Sequence, residues 1–179
     1  MRQGKFIRTY SGVQFWPLDP RDDEIAPVDI AHSLSLLCRA NGHFSHFYSV
    51  GQHSIACAVE AEARGYSLRV QLACLLHDGS EAYMGDVTRP VKSQMPQFLA
   101  AEAQLQNLIF EHFGLADLTA TEQQQVADVD DAMLKHEMTH LMGDSSIGRG
   151  EVVLAHDLSF QLMTEVRERF LAKLAQLLS

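Results

Sequence analysis

Leu72-Ala73-Cys74-Leu75-Leu76-His77-Asp78-Gly79 is an apolar run that stops on an imidazole and a carboxylate side by side. Bounded by Ser67 and Gly79, it reads as a buried helix whose last turn delivers two chemically active groups. Burying either group unpaired is costly, so packing alone accounts poorly for the pair. His53 lies upstream in a second helical pattern, and Asp130 lies downstream in a third. Two imidazoles and two carboxylates on separate helices can converge inside a bundle on one divalent ion. That donor set points to metal-assisted hydrolysis.

Each residue also has a plainer reading. His53, beside Ala56, Cys57 and Glu60, fits a satisfied, partly buried histidine. Asp130 competes with Asp128 and Asp131, but helical phase separates them. Asp130 shares a face with Leu134, Glu137 and Leu141, whereas Asp128 leans toward Gln124 and Gln125.

The rest of the chain is also helical in pattern. Ile30, Leu34 and Leu37 predict a helix from Asp29, as N-cap, to Ala40. Ser49-Val50-Gly51-Gln52 has the spacing of a capping box and opens a helix to Arg64, with Gly65 as its stop. Pro96 suits the first turn of another helix, ending near Gly114. Thr119-Ala120-Thr121-Glu122 is a second capping box, and its helix runs to Gly143. A last helix, about 157–178, carries the stripe Met163, Val166, Phe170, Leu174 and Leu177. It either packs on its own domain or pairs with a second copy as a homodimer. Residues 1–26 read as irregular and 143–156 as a mobile loop. With no sustained two-residue alternation, the expected fold is an all-α single domain, a bundle of about six or seven helices.

The bulk composition narrows the partners. A chain of 179 residues with 46% apolar side chains suits one globular domain. A net charge of -9 without a basic block argues against a nucleic acid duplex, while leaving room for a small anion in a local pocket. No stretch approaches a membrane span of roughly 20 apolar residues. Cys38, Cys57 and Cys74 lie in apolar patterns without CxxC spacing, which reads as free thiols in a reducing cytoplasm.

Several segments, in order, carry a family resemblance: Arg39-Ala40-Asn41-Gly42-His43, Phe47 to Ser54, Leu75 to Asp86, and Val126 to Glu137. Together they resemble the HD-domain metal-dependent phosphohydrolases, in a small bacterial and phage branch similar to 5′-deoxyribonucleotidases. The resemblance covers roughly residues 5–142. Gly79 stands where that branch commonly has Ala, and Thr88 where it often has Pro.

The resemblance implies one divalent ion (Co, Mn, Fe, Ni, Mg or Zn) held by His53, His77, Asp78 and Asp130. It implies Glu81 as catalytic acid or base beside Asp78, Asp86 in the substrate pocket, and Arg39 on the phosphate. Arg89 and Lys92 are further cations near the site in sequence, and His43 precedes His53 in a loop from which it can reach phosphate. The expected activity is a phosphomonoesterase acting on nucleoside 5′-monophosphates. The alternatives are another HD-type hydrolase, acting on phosphodiesters, triphosphates or alarmones, and a non-catalytic metal- or nucleotide-binding module.

Overall fold

The central helix of the molecule is the apolar run itself. In the computed structural model, which describes residues 2–179, α3 spans Leu68–Leu76 with Ser67 as N-cap, its hydroxyl accepting from Val70 N. Val70 through Leu76 are all buried, so α3 beyond its first residues is enclosed on every side. It is packed by α2 (Val50–Ala63), α7 (Ala120–Met142) and α8 (Met163–Leu177). Helix α1 (Pro27–Leu36) joins α2 and α8, and α6 (Pro96–His112) covers the end of α3. Two single-turn helices, α4 (Glu81–Met84) and α5 (Arg89–Lys92), lie between α3 and α6 in sequence. The fold is all-α in class.

Both capping boxes form. Ser49 Oγ accepts from Gln52 N at 3.1 Å and Gln52 Oε1 accepts from Ser49 N at 3.3 Å. Thr119 and Glu122 repeat the exchange at the start of α7. Each satisfies helix-end amides and contributes about 1 kcal/mol. The main core gathers Ile30, Leu34, Leu75, Leu105, Ile109 and Phe170. The α8 stripe, with Val166, Phe170, Leu174 and Leu177, packs into this core of its own chain. A smaller cluster of Cys57, Ala61, Val70, Cys74, Val129 and Met133 joins α2, α3 and α7.

The first helix differs from expectation at both ends. Pro27 opens it, with Ala26 as N-cap, and Asp29 is buried two positions inside. Asp29 accepts from Ser11 N and Ser11 Oγ, both at 2.7 Å, so it ties down the N-terminal segment instead. The helix stops at Leu36, short of Ala40. The chain then runs extended against residues 48–50: Val50 N donates to Leu37 O at 3.0 Å and Arg39 N to Tyr48 O at 2.9 Å. Arg39 therefore leaves an extended segment, not a helix end. A tight turn follows, in which Ala40 (φ 53) and Asn41 (φ 51) are left-handed.

The N-terminal segment is more ordered than its composition suggests. Strands β1 (Ile7–Arg8) and β2 (Gln14–Phe15) pair antiparallel, with Ile7 opposite Phe15 and Arg8 opposite Gln14. Phe15 is wholly buried and stacks on Tyr83, ring centroids 3.9 Å apart. Burial of that ring stabilises the join by about 1.5–3 kcal/mol.

The last helix starts at Met163, not near 157. Residues 151–162 form a strap instead, held by distant groups that compete with helical bonding. Val153 N donates to Glu60 Oε1 at 2.8 Å, Gln52 Nε2 to Ser159 O at 3.0 Å and His46 Nε2 to Leu158 O at 2.7 Å. The preceding loop lies against α7, where Arg149 N donates to Asp131 O at 3.3 Å.

Helices α1 and α2 approach very closely at Gly51. A β-carbon there would lie 3.1 Å from Leu34 C, Ser35 N and Val166 Cγ1, so no larger residue enters without displacing backbone.

Candidate metal centre

His53 occupies the second turn of α2, directly after the capping box, and is wholly buried. Its Nδ1 lies 2.7 Å from Glu137 Oε1 on α7, so in the neutral ring Nδ1 carries the donated hydrogen and Nε2 keeps the lone pair. His77, which caps α3, does the same on its own turn. Its Nδ1 donates to Cys74 O at 2.8 Å, and its Nε2 points to His53 Nε2 at 3.3 Å. Anchoring one ring nitrogen on an acceptor is how metal-binding histidines have their free nitrogen aimed.

Two carboxylates complete the convergence. Asp130 Oδ1 lies 3.2 Å from His53 Nε2 and 3.6 Å from His77 Nε2. Asp78 Oδ2 lies 3.8 Å from His53 Nε2 and 3.4 Å from His77 Nε2. Ligand atoms at roughly 2.0–2.2 Å from one ion are separated by about 3.0–3.5 Å in tetrahedral or octahedral arrangement. The spacings are close to that range, so this donor set fits a divalent ion. Among the three neighbouring aspartates Asp128 is exposed, whereas Asp130 is half-buried and turned to the cluster.

A fifth donor, absent from the expected set, adjoins them. Cys57 follows His53 by one helical turn, and its Sγ lies 3.4 Å from His53 Nε2. The buried group of His53, Cys57 and His77 has ligand atoms within 4.8 Å of one another and could hold a metal ion. In sequence Cys57 reads as a buried thiol, and its i, i+4 relation to His53 is the signal that links the two. Glu137 shares the Asp130 face of α7, and only the fold brings it to His53.

Charge is balanced around the cluster by arginines. Arg39 Nε donates to Glu137 Oε2 at 2.8 Å, with Nη1 3.5 Å from Asp78 Oδ2 and Nη2 3.7 Å from Asp130 Oδ1. Burial pushes the Glu137 carboxyl up, but Arg39 and His53 outweigh it and hold it down to about 2. Burial pulls His77 down, but Asp78 and Asp130 raise it to about 9. Arg89 reaches in from the surface, with Nη2 2.9 Å from Asp130 Oδ2 and Nη1 3.1 Å from Asp131 Oδ1.

Glu81 stands beside this cluster with an unusual environment. It is buried, and its Oε2 has no hydrogen-bond partner. Burial first, then Asp78 and Asp86, push its carboxyl well above the usual range. Lys92 Nζ is 3.8 Å from Glu81 Oε1 and bonded to Glu102 at 2.6 Å. A cleft of about 260 Å³ opens here, lined by His77, Asp78, Glu81, Lys92, Leu99 and Glu102 among others. A larger hollow of about 470 Å³ beside α6 has no such convergence of ionisable groups.

Asp86 and His43 complete the expected site residues. Asp86 is half-buried after Gly85, and burial, against the opposing pull of Arg39, pushes its carboxyl above the usual range. His43 is exposed at the end of that turn. His136 and His140 on α7 have ring centroids 4.3 Å apart and planes tilted by 46°, while His156 bonds Glu60 at 2.9 Å and belongs to the strap.

No family model matches the chain. It is 32% identical to an uncharacterized protein of Rhodobacter capsulatus, over 93% of this chain and 92% of that protein. It belongs to the family of that protein. It is also 37% identical to the uncharacterized protein YfdR of Escherichia coli, over 65% of this chain. That match spans 62% of YfdR, less than two thirds of its length.

Proposed function

We propose that this protein is a metal-dependent phosphohydrolase of the HD type, a phosphomonoesterase that releases phosphate from nucleoside 5′-monophosphates, deoxyribonucleotides in particular. One observation carries the reading. Two imidazoles, each with Nδ1 anchored, aim Nε2 at a common point shared with Asp78 and Asp130, at separations of 3.2–3.8 Å. The ordered segments that resemble the HD hydrolases contain all four residues. A divalent ion held by His53, His77, Asp78 and Asp130 supplies Lewis acidity toward a phosphoryl oxygen and toward water.

The chain's own groups account for the remaining requirements. Arg39 presents a buried guanidinium toward Asp78 and Asp130, where a phosphate dianion needs positive charge. Arg89 offers a second cation from the rim, where its exposed side chain pairs with Asp130 and Asp131. Glu81, with one oxygen unpartnered, orients the attacking water and takes or returns its proton. Burial first, and then the charge of Asp78 and Asp86, favours the protonated form of the Glu81 carboxyl, which suits it to hand a proton to the departing oxygen. The resemblance puts Asp86 in the substrate pocket, and the cleft beside Glu81 receives the leaving group.

The test is metal analysis of the purified protein, followed by a phosphate-release screen. Nucleoside mono-, di- and triphosphates and cyclic dinucleotides are each tried with Co, Mn, Mg and Ni. Release from monophosphates, dependent on one bound ion, is expected. Cleavage of another phosphate linkage moves the protein to a different HD-type hydrolase. Nucleotide binding without turnover under any metal makes it a binding module.

A further inference from the structure

We propose that Gln106 is a positioning residue of the metal centre. Its side-chain amide, inserted into the backbone of what would otherwise be one long helix, opens that helix at His77 and Asp78 and lets both reach the same ion. The inference rests on the metal reading of the cluster, but not on phosphate hydrolysis.

Its starting point is the break between α3, which ends at Leu76, and α4, which begins at Glu81. His77 and Ser80, on either side of the break, keep right-handed helical angles (φ -62, ψ -29 and φ -63, ψ -28). The two helices are therefore close to one continuous rod. In such a rod Ser80 N would donate to Leu76 O, four residues back. Here the carboxamide of Gln106, on α6, stands in that bond. Ser80 N donates to Gln106 Oε1 at 3.0 Å, and Gln106 Nε2 donates to Leu76 O at 2.8 Å. A carboxamide suits the place because it carries an acceptor and a donor side by side. A side chain inserted into the helical ladder in this way kinks the helix. Leu76 O also accepts from Gly79 N at 2.8 Å, the shorter i to i+3 bond of a tightened turn.

The insertion falls where the centre needs it. Leu76 and Ser80 bracket His77 and Asp78, and neighbouring side chains on a regular helix diverge by about 100°. In the opened turn Asp78 Oδ2 lies 3.4 Å from His77 Nε2, and the two atoms approach His53 Nε2 at 3.8 and 3.3 Å. Glu81 follows Ser80 directly, so the same bond sets where α4 begins. The support behind Gln106 is rigid. Leu105 beside it and Ile109 one turn further are wholly buried. A β-carbon at Gly79 would lie 3.3 Å from Ile109 Cγ2, so the opened turn is pressed directly against α6. Gln106 also lines the cleft beside Glu81, yet its amide is engaged with the backbone of the ligand turn.

The test titrates the full chain with cobalt(II) and reads both affinity and the visible absorption of the bound ion, whose intensity and position report ligand geometry. Gln106→Met keeps the length of the side chain and removes both hydrogen bonds. Cobalt affinity should fall roughly 10–100-fold, as when a group that orients a ligand is lost, and the visible spectrum should change. Gln123→Met is the control. Gln123 Nε2 donates to Leu118 O at 3.0 Å at the start of α7, so that variant loses a comparable bond and should keep the affinity and spectrum of wild type. A crystal structure of Gln106→Met should show Ser80 N bonded to Leu76 O and Asp78 turned away from His77. Circular dichroism establishes that each variant is folded; should Gln106→Met fail to fold, Gln106→Asn, too short to reach both backbone groups, decides in its place. Unchanged affinity and spectrum in the folded variant, or equal losses in Gln106→Met and Gln123→Met, overturn the proposal and leave the metal centre standing. Wild type that binds cobalt but releases no phosphate removes the hydrolase reading and leaves the role of Gln106 to be decided by the same spectra. Failure of wild type to bind cobalt or zinc at all overturns both.

Discussion

Two buried glutamates in this molecule have nearly the same partners and very different consequences. Glu137 on α7 is bonded to Arg39 and His53; Glu60 on α2 is bonded to Arg64, His156 and the Val153 amide. Both are fully buried, and both are bonded to one guanidinium and one imidazole. Around Glu137 the imidazole is a relay, because His53 turns its second nitrogen toward Asp130, Asp78 and His77. Around Glu60 the partners fasten the strap of residues 151–162 onto α2. The same Glu–His–Arg chemistry thus builds a cluster that could hold a metal ion in one place and a clamp in the other. What differs is whether the histidine's remaining nitrogen meets further donors.

The comparison can be broken most sharply at the relay. His77→Ala with Asp78→Ala should abolish both metal binding and phosphate release, read by metal stoichiometry and a phosphate assay. Activity retained with metal in that double variant would sink the site assignment. Next in size, Glu137→Gln should weaken metal affinity by roughly 10–100-fold, because His53 loses its orienting carboxylate. Metal titration of the folded variant measures this. At the clamp, Glu60→Gln should cost about 2 kcal/mol in urea unfolding, through lost charge-assisted hydrogen bonds. Metal affinity there should stay near wild type, and an equal loss of affinity at both glutamates would erase the distinction drawn here.

Acid should find the clamp as well. Burial pushes the Glu60 carboxyl up, but hydrogen bonds from His156, the Val153 amide and Arg64 outweigh it and hold it below the usual range. The unfolded chain therefore binds the proton more readily. The stabilisation is complete above the ordinary glutamate value of about 4.3 and drains away as pH falls through the lowered folded value. Melting temperatures of wild type should drop more steeply below that pH than those of Glu60→Gln. The smallest effect belongs to Thr119→Ala, which removes one helix cap far from either glutamate. A loss of about 1 kcal/mol with unchanged metal binding is expected.

Local pattern carried the reading wherever the cause was local. Ser49 with Gln52, Ser67 and Thr119 with Glu122 fall where their side chains can reach their own helix ends, so those starts were legible. His53, His77, Asp78 and Asp130 were legible as a set, and the fold brings them together. Distant partners hid the rest. Asp29 resembles an N-cap until Ser11 folds back on it, and residues 157–162 look helical until Gln52 and His46 take their carbonyls. Strands of two residues leave too short an alternation to detect. Cys57 was hidden differently, since a cysteine on an apolar face looks the same whether its sulfur meets methyl groups or an imidazole.

The close approach of α1 and α2 at Gly51 reaches further than packing. Leu34 and Ser35 on one side of that contact lead within a few residues to Arg39; Gly51 on the other stands two positions before His53. The gap between guanidinium and imidazole is therefore gauged by a carbon atom that is not there. A single methyl group at position 51 would act as a wedge, detuning the centre from behind while leaving every one of its ligands in the sequence.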